Sequence, residues 1–274
     1  MIIVKSVEEW KKIYDSVKNK KIGFVPTMGG LHEGHISLVK RSKAENEITV
    51  VSVYLNPTQF NDKKDLETYP CNFNDDCKLL EENGVDYLFA PDYKVMYPDD
   101  FKYKVIETDF SKLLCGAKRP GHFDGVCTIL TKFFNLIKPT NAYFGKKDTQ
   151  QLLIVENMVK SLFMYINIIG VDIVRSSDGL ALSSRNSYLN DDELAQALKL
   201  SRSLMKASNL IKANQLNSIE IKKSMSSILE PLKVDYIEIV DKNLKQIENI
   251  ELGNSIILVA AYVGNTRLID NLWV

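Results

Sequence analysis

Two of the three histidines in the chain lie three residues apart, directly behind a pair of glycines. The stretch reads PTMGGLHEGH over residues 26–35, so His32 and His35 form an i, i+3 pair. Gly29 and Gly30 permit a tight turn and a close approach of the backbone to a ligand. A helix that begins in this stretch would attract an anion to its N-terminus. Two imidazoles on one side of such a helix would suit the phosphates of a triphosphate.

Two other interpretations of the histidine pair remain open at this point. In the first, one imidazole packs in the core and the other is solvated, which requires no ligand. In the second, the pair binds zinc, yet HEGH lacks the HExxH spacing and zinc usually takes three or four ligands. His122 is the only other histidine, and no two cysteines are spaced as a pair. The glycines and the strand–loop–helix setting favour phosphate chemistry over both.

A serine–serine–arginine stretch offers a second group of phosphate ligands. Ser183, Ser184 and Arg185 lie in the run DGLALSSRNSYL. Two hydroxyls and a planar guanidinium fork suit a polyphosphate. The same run is also compatible with a surface turn that carries an arginine by chance.

A third polar stretch, FGKKDTQQ, follows the strand-like run NAYF. Lys147 could neutralise phosphate charge, and Asp148 could accept a hydrogen bond from a ribose hydroxyl. Gln150 or Gln151 could bind a small polar substrate. The alternative for the two lysines is an ordinary solvated pair.

A fourth stretch, NPTQF, follows the apolar run ITVVSVYL and supplies two uncharged polar groups, Asn56 and Gln59. Ordinary turn chemistry at Asn-Pro is the alternative explanation. Three of the four stretches follow predicted strands. Since ligands of open parallel sheets bind at the carboxyl ends of the strands, we expect these stretches to share one site.

The hydrophobic pattern predicts the elements that position these residues. Apolar runs of strand and helix type alternate, as in a parallel sheet whose strands are joined by helices. Ser6 and Glu9 have the spacing of a capping box at the start of the first helix. The predicted strands cover residues 21–27, 48–55, 86–91, 102–108, 141–145 and 165–175, the last one broken at Gly170. Further helices are predicted over residues 34–46, 73–84, 127–138 and 148–163.

The pattern changes in the C-terminal third of the chain. Residues 191–230 predict two helices rich in Leu, Lys and Ser, and the runs VDYIEIVD and SIILVAAYVGNTRLIDNLWV predict strands. We place a domain boundary between residues 175 and 190. The expected fold class is α/β, with a Rossmann-like parallel sheet followed by a smaller C-terminal α+β domain.

Length and composition limit the classes of protein. The 274 residues suffice for two domains. Lys+Arg and Asp+Glu both number 35, so no basic excess points to nucleic acid. No window has the roughly 18 apolar residues of a membrane span, and the apolar run at the N-terminus is too short for a signal peptide. We expect a cytoplasmic protein, because the four cysteines form no CxxC and suit a reducing compartment.

Five stretches together resemble the pantoate–β-alanine ligases (pantothenate synthetases) of the nucleotidylyltransferase superfamily. They are PTMGGLHEGHISLV, VSVYLNPTQFNDKKDLETYP, RPGHFDGVCTIL, FGKKDTQQL and DGLALSSRNSYL. The resemblance runs in order over most of residues 20–190 and is weaker beyond. It implies that residues 1–175 bind ATP and pantoate, and that residues 176–274 form a small domain covering the active site. It also implies a cytoplasmic homodimer that uses magnesium (Mg2+).

The implied reaction has two steps. Pantoate carboxylate attacks the α-phosphorus of ATP, which gives pantoyl adenylate and pyrophosphate. The amine of β-alanine then attacks the acyl carbon, which gives pantothenate and AMP. Fixed cationic donors would stabilise the charge that develops on the phosphates in the first step.

The resemblance also assigns roles to individual residues. His35 is the expected proton donor of a catalytic set that comprises His32, His35, Lys147 and Arg185. The residues expected to bind ATP are Met28, Gly29, Gly30, Leu31, His32, Gly34, His35, Gly145, Lys146, Lys147, Asp148, Val174, Leu182, Ser183, Ser184 and Arg185. The residues expected to bind pantoate or β-alanine are Asn56, Gln59 and Gln151. Magnesium is assigned to Asp75 or Asp76, and Arg119 and His122 are expected near the pantoate pocket.

The sequence departs from the family pattern at three positions. Gly30 replaces the usual Asn, Thr58 the usual Met, and Lys146 the usual Glu. We expect these changes to loosen a loop, to trim an apolar wall near the pantoate pocket, and to reverse a charge beside the phosphates. None removes a residue that the resemblance assigns to catalysis.

Three other functions compete with the ligase. A plain nucleotidylyltransferase shares the histidine motif but leaves Gln59 and Gln151 without a role. A nucleotide-binding regulator without turnover would not need His35 and Lys147. A tRNA ligase shares the histidine motif too, but the zero net charge and the lack of an anticodon-type domain count against it.

Overall fold

Strands and helices alternate through the first part of the computed structural model. The structure describes residues 1–98 and 101–274. It divides into two compact units, Met1–Asp172 and Ile173–Val274. The strands of the first unit are β1 (Ile2–Val4), β2 (Ile22–Thr27), β3 (Ile48–Val53), β4 (Tyr87–Phe89), β5 (Asn141–Gly145) and β6 (Asn167–Val171). Its α-helices are α1 (Val7–Val17), α2 (Glu33–Glu45), α3 (Lys63–Glu67), α4 (Phe73–Glu82), α5 (Tyr93–Met96), α6 (Leu114–Lys118), α7 (His122–Ile137) and α8 (Thr149–Ser161).

The six strands form one sheet in the order β1-β4-β3-β2-β5-β6, and every neighbouring pair is parallel. From β2 the chain first adds strands on one side, through β3, and later on the other side, through β5. The carboxyl end of β2 is therefore the switch point at which open parallel sheets bind their ligands. The glycine–histidine stretch begins at this end, so the topology places it where the sequence analysis expects a site.

The central strands are buried on both faces, as in parallel sheets covered by helices on either side. Phe24 on β2 packs edge-to-face against Phe133 and Phe134 of α7, with ring centroids 5.6 and 6.3 Å apart. Trp10 of α1 is fully buried, and its indole N–H donates to the carbonyl of Leu136 at 2.9 Å. This packing fixes the strand ends from which the site residues project.

The first helix begins as its sequence predicts. The Ser6 hydroxyl accepts a hydrogen bond from the Glu9 N–H at 3.1 Å, and a Glu9 carboxylate oxygen accepts one from the Ser6 N–H at 3.2 Å. This reciprocal pair is the capping box that the Ser-x-x-Glu spacing predicts.

The second unit has its own core. Its strands β7 (Lys233–Asp241), β8 (Ser255–Val263) and β9 (Thr266–Trp273) form an antiparallel sheet in that order. Its helices are α9 (Asp191–Lys212) and α10 (Ser218–Leu229). The core residues of these helices and strands include Leu200, Leu204, Met225, Ile257 and Val259. In neither unit do the described residues form a helix long and apolar enough to cross a membrane.

The expected fold class is confirmed, but the strand expected over residues 102–108 is wrong. This segment is irregular, and Tyr103 and Ile106 within it are largely exposed. Its backbone instead pairs with α7: the Val105 N–H donates to the Thr128 hydroxyl at 2.9 Å, and the Glu107 N–H donates to the Asp124 carboxylate at 3.2 Å. The segment therefore lies along α7 and bonds to its side chains instead of pairing as a strand.

The expected break at Gly170 is also wrong. Strand β6 runs through Gly170, which pairs with Phe144 of β5. A Cβ at this position would meet the Leu152 side chain of α8 at 2.9 Å. The glycine therefore allows close packing of a helix on the strand and does not end it. Strand β1, which pairs with β4 at the edge of the sheet, was not predicted from the sequence.

Candidate active site

The histidine pair lies where β2 gives way to α2. Gly29 and Gly30 take the left-handed conformation, with φ of 88° and 65°. His32 then adopts extended backbone, with φ of −144° and ψ of 175°, and caps the N-terminus of α2. Residues 28–32, the glycine–histidine loop, thus turn the chain from strand into helix within five residues. The pair is partly buried at the carboxyl end of the sheet.

Backbone contacts fix the tautomers of both imidazoles. Nδ1 of His32 accepts a hydrogen bond from the Gly34 N–H at 3.1 Å, and Nδ1 of His35 accepts one from the His32 N–H at 3.3 Å. The neutral rings therefore carry their protons on Nε2. Their centroids lie 4.2 Å apart. The result is a pair of neighbouring Nε2–H donors whose orientation the helix cap determines.

Both imidazoles are neutral at physiological pH. Burial, and next the charge of Lys147, lower the pKa of His32 to about 4. Burial, and next His32, lower the pKa of His35 to about 3. The carboxylate of Asp148 opposes both shifts. The pair can therefore donate hydrogen bonds to an anion without carrying a charge of its own.

Lys147 and Asp148 thus act on the histidine pair electrostatically. They lie in a short 3-10 turn directly after β5, the strand next to β2. Two of the stretches singled out by sequence therefore meet at adjacent strand ends, as expected. The neighbouring Lys146 forms an ion pair with Asp172, with Nζ and Oδ1 2.6 Å apart. The positive charge that replaces the family's usual Glu is thereby partly offset.

A buried carboxylate holds the glycine–histidine loop from the side. Asp76 of α4 accepts hydrogen bonds from the Leu31 N–H at 2.8 Å and the Gly30 N–H at 3.0 Å. Burial raises the pKa of Asp76, whereas these two N–H groups act to lower it. Asp75 is exposed and accepts from the Asn72 side-chain amide at 2.7 Å.

The two aspartates give little geometric support to a preformed metal site. Across residues 1–98 and 101–274, no three His, Cys, Asp or Glu side chains gather as metal ligands. Magnesium often binds through only one or two carboxylates together with substrate phosphates. Its assignment to Asp75 or Asp76 therefore stays a prediction.

A buried amide network lies beyond the end of β3. The Asn56 side-chain amide donates to Gln59 Oε1 at 3.0 Å and to the Gly125 carbonyl at 3.2 Å. The Gln59 side-chain amide in turn donates to the sulfur of Met28 at 3.1 Å. Since Met28 belongs to the glycine–histidine loop, the expected pantoate residues and the expected nucleotide residues meet at this methionine.

Arg119 and His122 support Gln59 from its backbone. The carbonyl of Gln59 lies 2.7 Å from His122 Nδ1 and accepts from Arg119 Nη2 at 3.2 Å. Arg119 Nη1 lies 3.2 Å from His122 Nε2. Because arginine only donates, His122 Nε2 accepts, and its proton lies on Nδ1.

Thr58 and Tyr97 complete the network. The Thr58 hydroxyl donates to Asn56 Oδ1 at 3.0 Å and lies 3.2 Å from the Tyr97 hydroxyl, which also donates to Asn56 Oδ1. The departure at Thr58 thus adds a polar partner to Asn56 as well as trimming an apolar wall. Tyr97 was not predicted as a site residue, because 41 residues separate it from Asn56.

The two candidate glutamines of α8 have different surroundings. Gln150 is buried, and its amide donates to the carbonyls of Phe110 and Leu113 and accepts from the Cys115 N–H. These hydrogen bonds of Gln150 hold the 110–115 segment in place. Gln151 is only partly buried, which leaves its amide the better placed of the two for a ligand.

The serine–arginine stretch belongs to the second unit. The Ser183 hydroxyl accepts from the Arg185 N–H at 3.3 Å and so begins a 3-10 turn over Ser184–Tyr188. The chain before it doubles back, since the Leu182 N–H donates to the Val174 carbonyl at 3.0 Å. That these residues join the histidine pair stays a prediction.

An all-parallel sheet, with two neutral imidazoles and a lysine at the end of its central strands, defines a Rossmann-like α/β enzyme. The family model for pantoate-beta-alanine ligase matches residues 2–273, and the chain belongs to this family. It is 60% identical, over the full length of both chains, to a pantothenate synthetase of Campylobacter fetus subsp. fetus (strain 82-40). The family expected from sequence is thereby confirmed.

Solved structures agree with this assignment. A pantothenate synthetase from Thermus thermophilus is 40% identical and matches with a TM-score of 0.94 over 99% of both chains. A pantoate-beta-alanine ligase from Francisella tularensis, complexed with beta-gamma ATP and beta-alanine, is 37% identical. It matches with a TM-score of 0.83 over 100% of this chain and 97% of its own. The present chain is therefore an enzyme that forms pantothenate from pantoate and β-alanine with ATP.

Proposed function

We propose that the enzyme works through a pantoyl-adenylate intermediate, and that His32, His35 and Lys147 stabilise the phosphates while it forms. The observation that carries the proposal is the pair of neutral imidazoles, each with Nδ1 held by the backbone and Nε2–H left as a donor. Preorganised donors of this kind lower a barrier where charge develops, because they need no reorganisation during the reaction.

In the first step, an oxygen of the pantoate carboxylate attacks the α-phosphorus of ATP. The bond from that phosphorus to the bridging oxygen breaks, and pyrophosphate leaves. His35 and His32 donate hydrogen bonds from Nε2 to phosphate oxygens, and Lys147 neutralises charge. A pKa of about 3 leaves His35 neutral at physiological pH, so it donates a hydrogen bond from Nε2–H and carries no imidazolium proton to transfer. The family resemblance implies that His35 is a proton donor, and we propose that it is a hydrogen-bond donor.

The remaining small-molecule contacts follow the amide network. Gln59 and Gln151 bind pantoate through its hydroxyl and carboxylate oxygens, and Asn56 holds Gln59 in place. In the second step, the amine of β-alanine attacks the acyl carbon of the adenylate, and AMP leaves. Amide side chains suit this pocket because they orient a polar substrate without adding charge beside the reacting carboxylate.

The family resemblance supplies the remaining nucleotide contacts of the proposal. ATP lies along the glycine–histidine loop and the turn that starts at Gly145, and Asp148 accepts a hydrogen bond from the ribose. Val174 and Leu182 contact the adenine through their backbone. Ser183, Ser184 and Arg185 bind the phosphates, for which two hydroxyls and a guanidinium are suitable donors.

Magnesium, a homodimer and a cytoplasmic location complete the proposal. Magnesium bound with ATP would neutralise phosphate charge, and Asp75 suits it better than Asp76, whose two oxygens each bind a backbone N–H. The cytoplasmic location rests on the four cysteines, none of which forms a disulfide. The homodimer rests on the family resemblance.

Exchange of labelled pyrophosphate into ATP tests the adenylate directly. With purified protein and magnesium, exchange should require pantoate and should proceed without β-alanine, and AMP should be released only when both substrates are present. Pantoate labelled with ¹⁸O in its carboxylate should transfer one labelled oxygen to AMP. Exchange that ignores pantoate, or AMP without the label, would rule out the adenylate.

A variant of the histidine pair tests the proposed role of the imidazole. His35→Ala should slow the exchange by about 10²–10³-fold, while the affinity for ATP changes much less, because the donor acts mainly on charge that develops in the transition state. Equal losses in rate and affinity would mean that His35 only binds the ground state of ATP.

A further inference from the structure

Asp76 bridges α4 and the glycine–histidine loop with a carboxylate that is almost fully buried, at 3% exposure. Each of its oxygens accepts a hydrogen bond from a different backbone N–H: Oδ1 from Leu31 at 2.8 Å, and Oδ2 from Gly30 at 3.0 Å. The two N–H groups belong to consecutive residues directly before His32. The carboxylate therefore fixes the backbone at the point where α2 begins.

This contact limits how the loop can meet a substrate. Successive backbone N–H groups in a turn form a concave site that binds anions in many proteins. Here the N–H groups of Gly30 and Leu31 already bind a carboxylate. Phosphates at this end of β2 would then be met by the imidazoles that follow the loop. The position of these rings depends on where Asp76 holds Leu31.

The packing of Gly29 shows how closely the loop rests on this carboxylate. A Cβ at Gly29 would lie 2.9 Å from Asp76 Oδ2, 3.2 Å from the Cys71 side chain and 3.3 Å from the Val53 side chain. The loop thus has little room to shift towards α4. Asp76 lies in the first turn of that helix, whose packing residue Leu80 is fully buried.

We propose that Asp76 is a positioning residue for the reaction: it holds Gly30 and Leu31 so that His32 and His35 present their Nε2–H groups to the reacting phosphate. It acts through the loop and does not bind magnesium. The proposal rests on the phosphate-binding role of the histidine pair proposed above. It predicts that loss of the carboxylate weakens the use of ATP without changing the need for metal.

Asp76→Asn tests this in the full-length enzyme, because one oxygen acceptor is replaced by an NH₂ group that faces a backbone N–H. We expect kcat/KM for ATP to fall by about 10–100-fold at saturating magnesium. The magnesium concentration that gives half-maximal activity should stay within about twofold of the wild type. Amide hydrogen exchange in peptides that cover residues 28–35, followed by mass spectrometry, should become at least about tenfold faster.

Glu82→Gln is the matched control. It removes the same charge from the same helix at an exposed position, and it should change none of the three measurements. Should Asp76→Asn give no folded protein, Asp76→Glu carries the same test, because its longer side chain keeps the charge but displaces the carboxylate.

Two results would overturn the proposal. If Asp76→Asn raises the magnesium requirement and excess magnesium restores the rate, the residue is a metal ligand. If amide hydrogen exchange over residues 28–35 is as slow in Asp76→Asn as in the wild type, the carboxylate does not hold the loop. The exchange measurement needs no turnover, so it remains decisive even if pyrophosphate exchange were to refute the adenylate.

Discussion

The low pKa values of the histidine pair make the stability of the fold depend on pH. The ordinary pKa of a histidine is about 6.5, and the fold lowers it to about 4 for His32 and about 3 for His35. Below pH 6.5 the unfolded chain therefore binds protons that the native state does not. The free energy of unfolding is therefore highest above pH 6.5, and it falls as the pH drops towards the pKa values of the two histidines in the folded state.

His35→Gln should weaken this dependence because glutamine does not titrate. Urea unfolding between pH 7.5 and pH 4.5 should show a smaller loss of free energy per pH unit in the variant than in the wild type. The difference can reach about 1 kcal/mol per pH unit for one histidine. Parallel stability curves for the two proteins would contradict the assigned pKa shift.

Much of the candidate site could be predicted from residue types and spacing, because the chemistry of a short stretch depends on the residues within it. Local motifs predict the pairing of His32 with His35 and the role of Lys147 in neutralising phosphate charge. The tautomers do not, since they depend on which backbone N–H each Nδ1 meets. The clamp of Asp76 on Gly30 also escaped the sequence, because 46 residues separate them.

At the scale of elements, the turn from β2 into α2 depends on Gly29. Its φ of 88° is strained for any residue with a side chain, and an added Cβ would lie 2.9 Å from Asp76 Oδ2. We expect Gly29→Ala to lower the free energy of unfolding by about 1–3 kcal/mol, as measured by chemical denaturation.

Gly30→Asn is the contrasting variant. Its φ of 65° lies in the left-handed region that asparagine tolerates, and asparagine is the usual residue of the family at this position. We expect the free energy of unfolding to change much less than in Gly29→Ala. A loss for Gly30→Asn as large as that for Gly29→Ala would show that the loop tolerates no side chain at either glycine, contrary to the assigned backbone.

Elements that bury an apolar face were predictable, and elements defined by distant partners were not. The start of helix α1 is predicted by Ser6 and Glu9, because their contact is local in the sequence. The segment over residues 102–108 has a strand-like pattern, but its backbone bonds to side chains of α7. Nothing within the segment indicates that partner. Gly170 likewise suggests the end of a strand, because its close packing against the Leu152 side chain is not visible in the sequence.

The whole molecule consists of two units, each with its own sheet and buried core. The change in hydrophobic pattern near residue 190 indicated two parts. The structural division lies between Asp172 and Ile173, within the run 165–175 that the sequence analysis took as one strand. The pattern of this run does not indicate that β6 ends at Val171 and that the chain then enters another unit.

An ion pair with a buried carboxylate connects the chain before the serine–arginine stretch to the sheet of the second unit. Arg175 donates to both oxygens of Asp270, at 2.7 and 2.9 Å, and Asp270 on β9 is 4% exposed. Arg175 also donates to the Gly179 carbonyl and bridges to Ala181. This bidentate contact holds the chain that leads into Ser183–Arg185.

Asp270→Asn should therefore destabilise the second unit. Loss of one partner from a buried bidentate pair costs about 1–3 kcal/mol when the arginine can be rehydrated, as the partly exposed Arg175 can. Native-state hydrogen exchange should show about 10–100-fold faster exchange for β8 amides, and little change for amides of β2 and β3. Asp178→Asn removes an exposed carboxylate from the same turn and should leave both regions protected as in the wild type.

The distribution of the effect decides how the molecule unfolds. Two separate cores allow one unit to open while the other stays folded, so a defect at Asp270 should remain confined to residues 173–274. Equal loss of protection in β8 and β2 would mean that the chain unfolds as one cooperative body. In that case stability at Asp270 and stability at the glycine–histidine loop would change together.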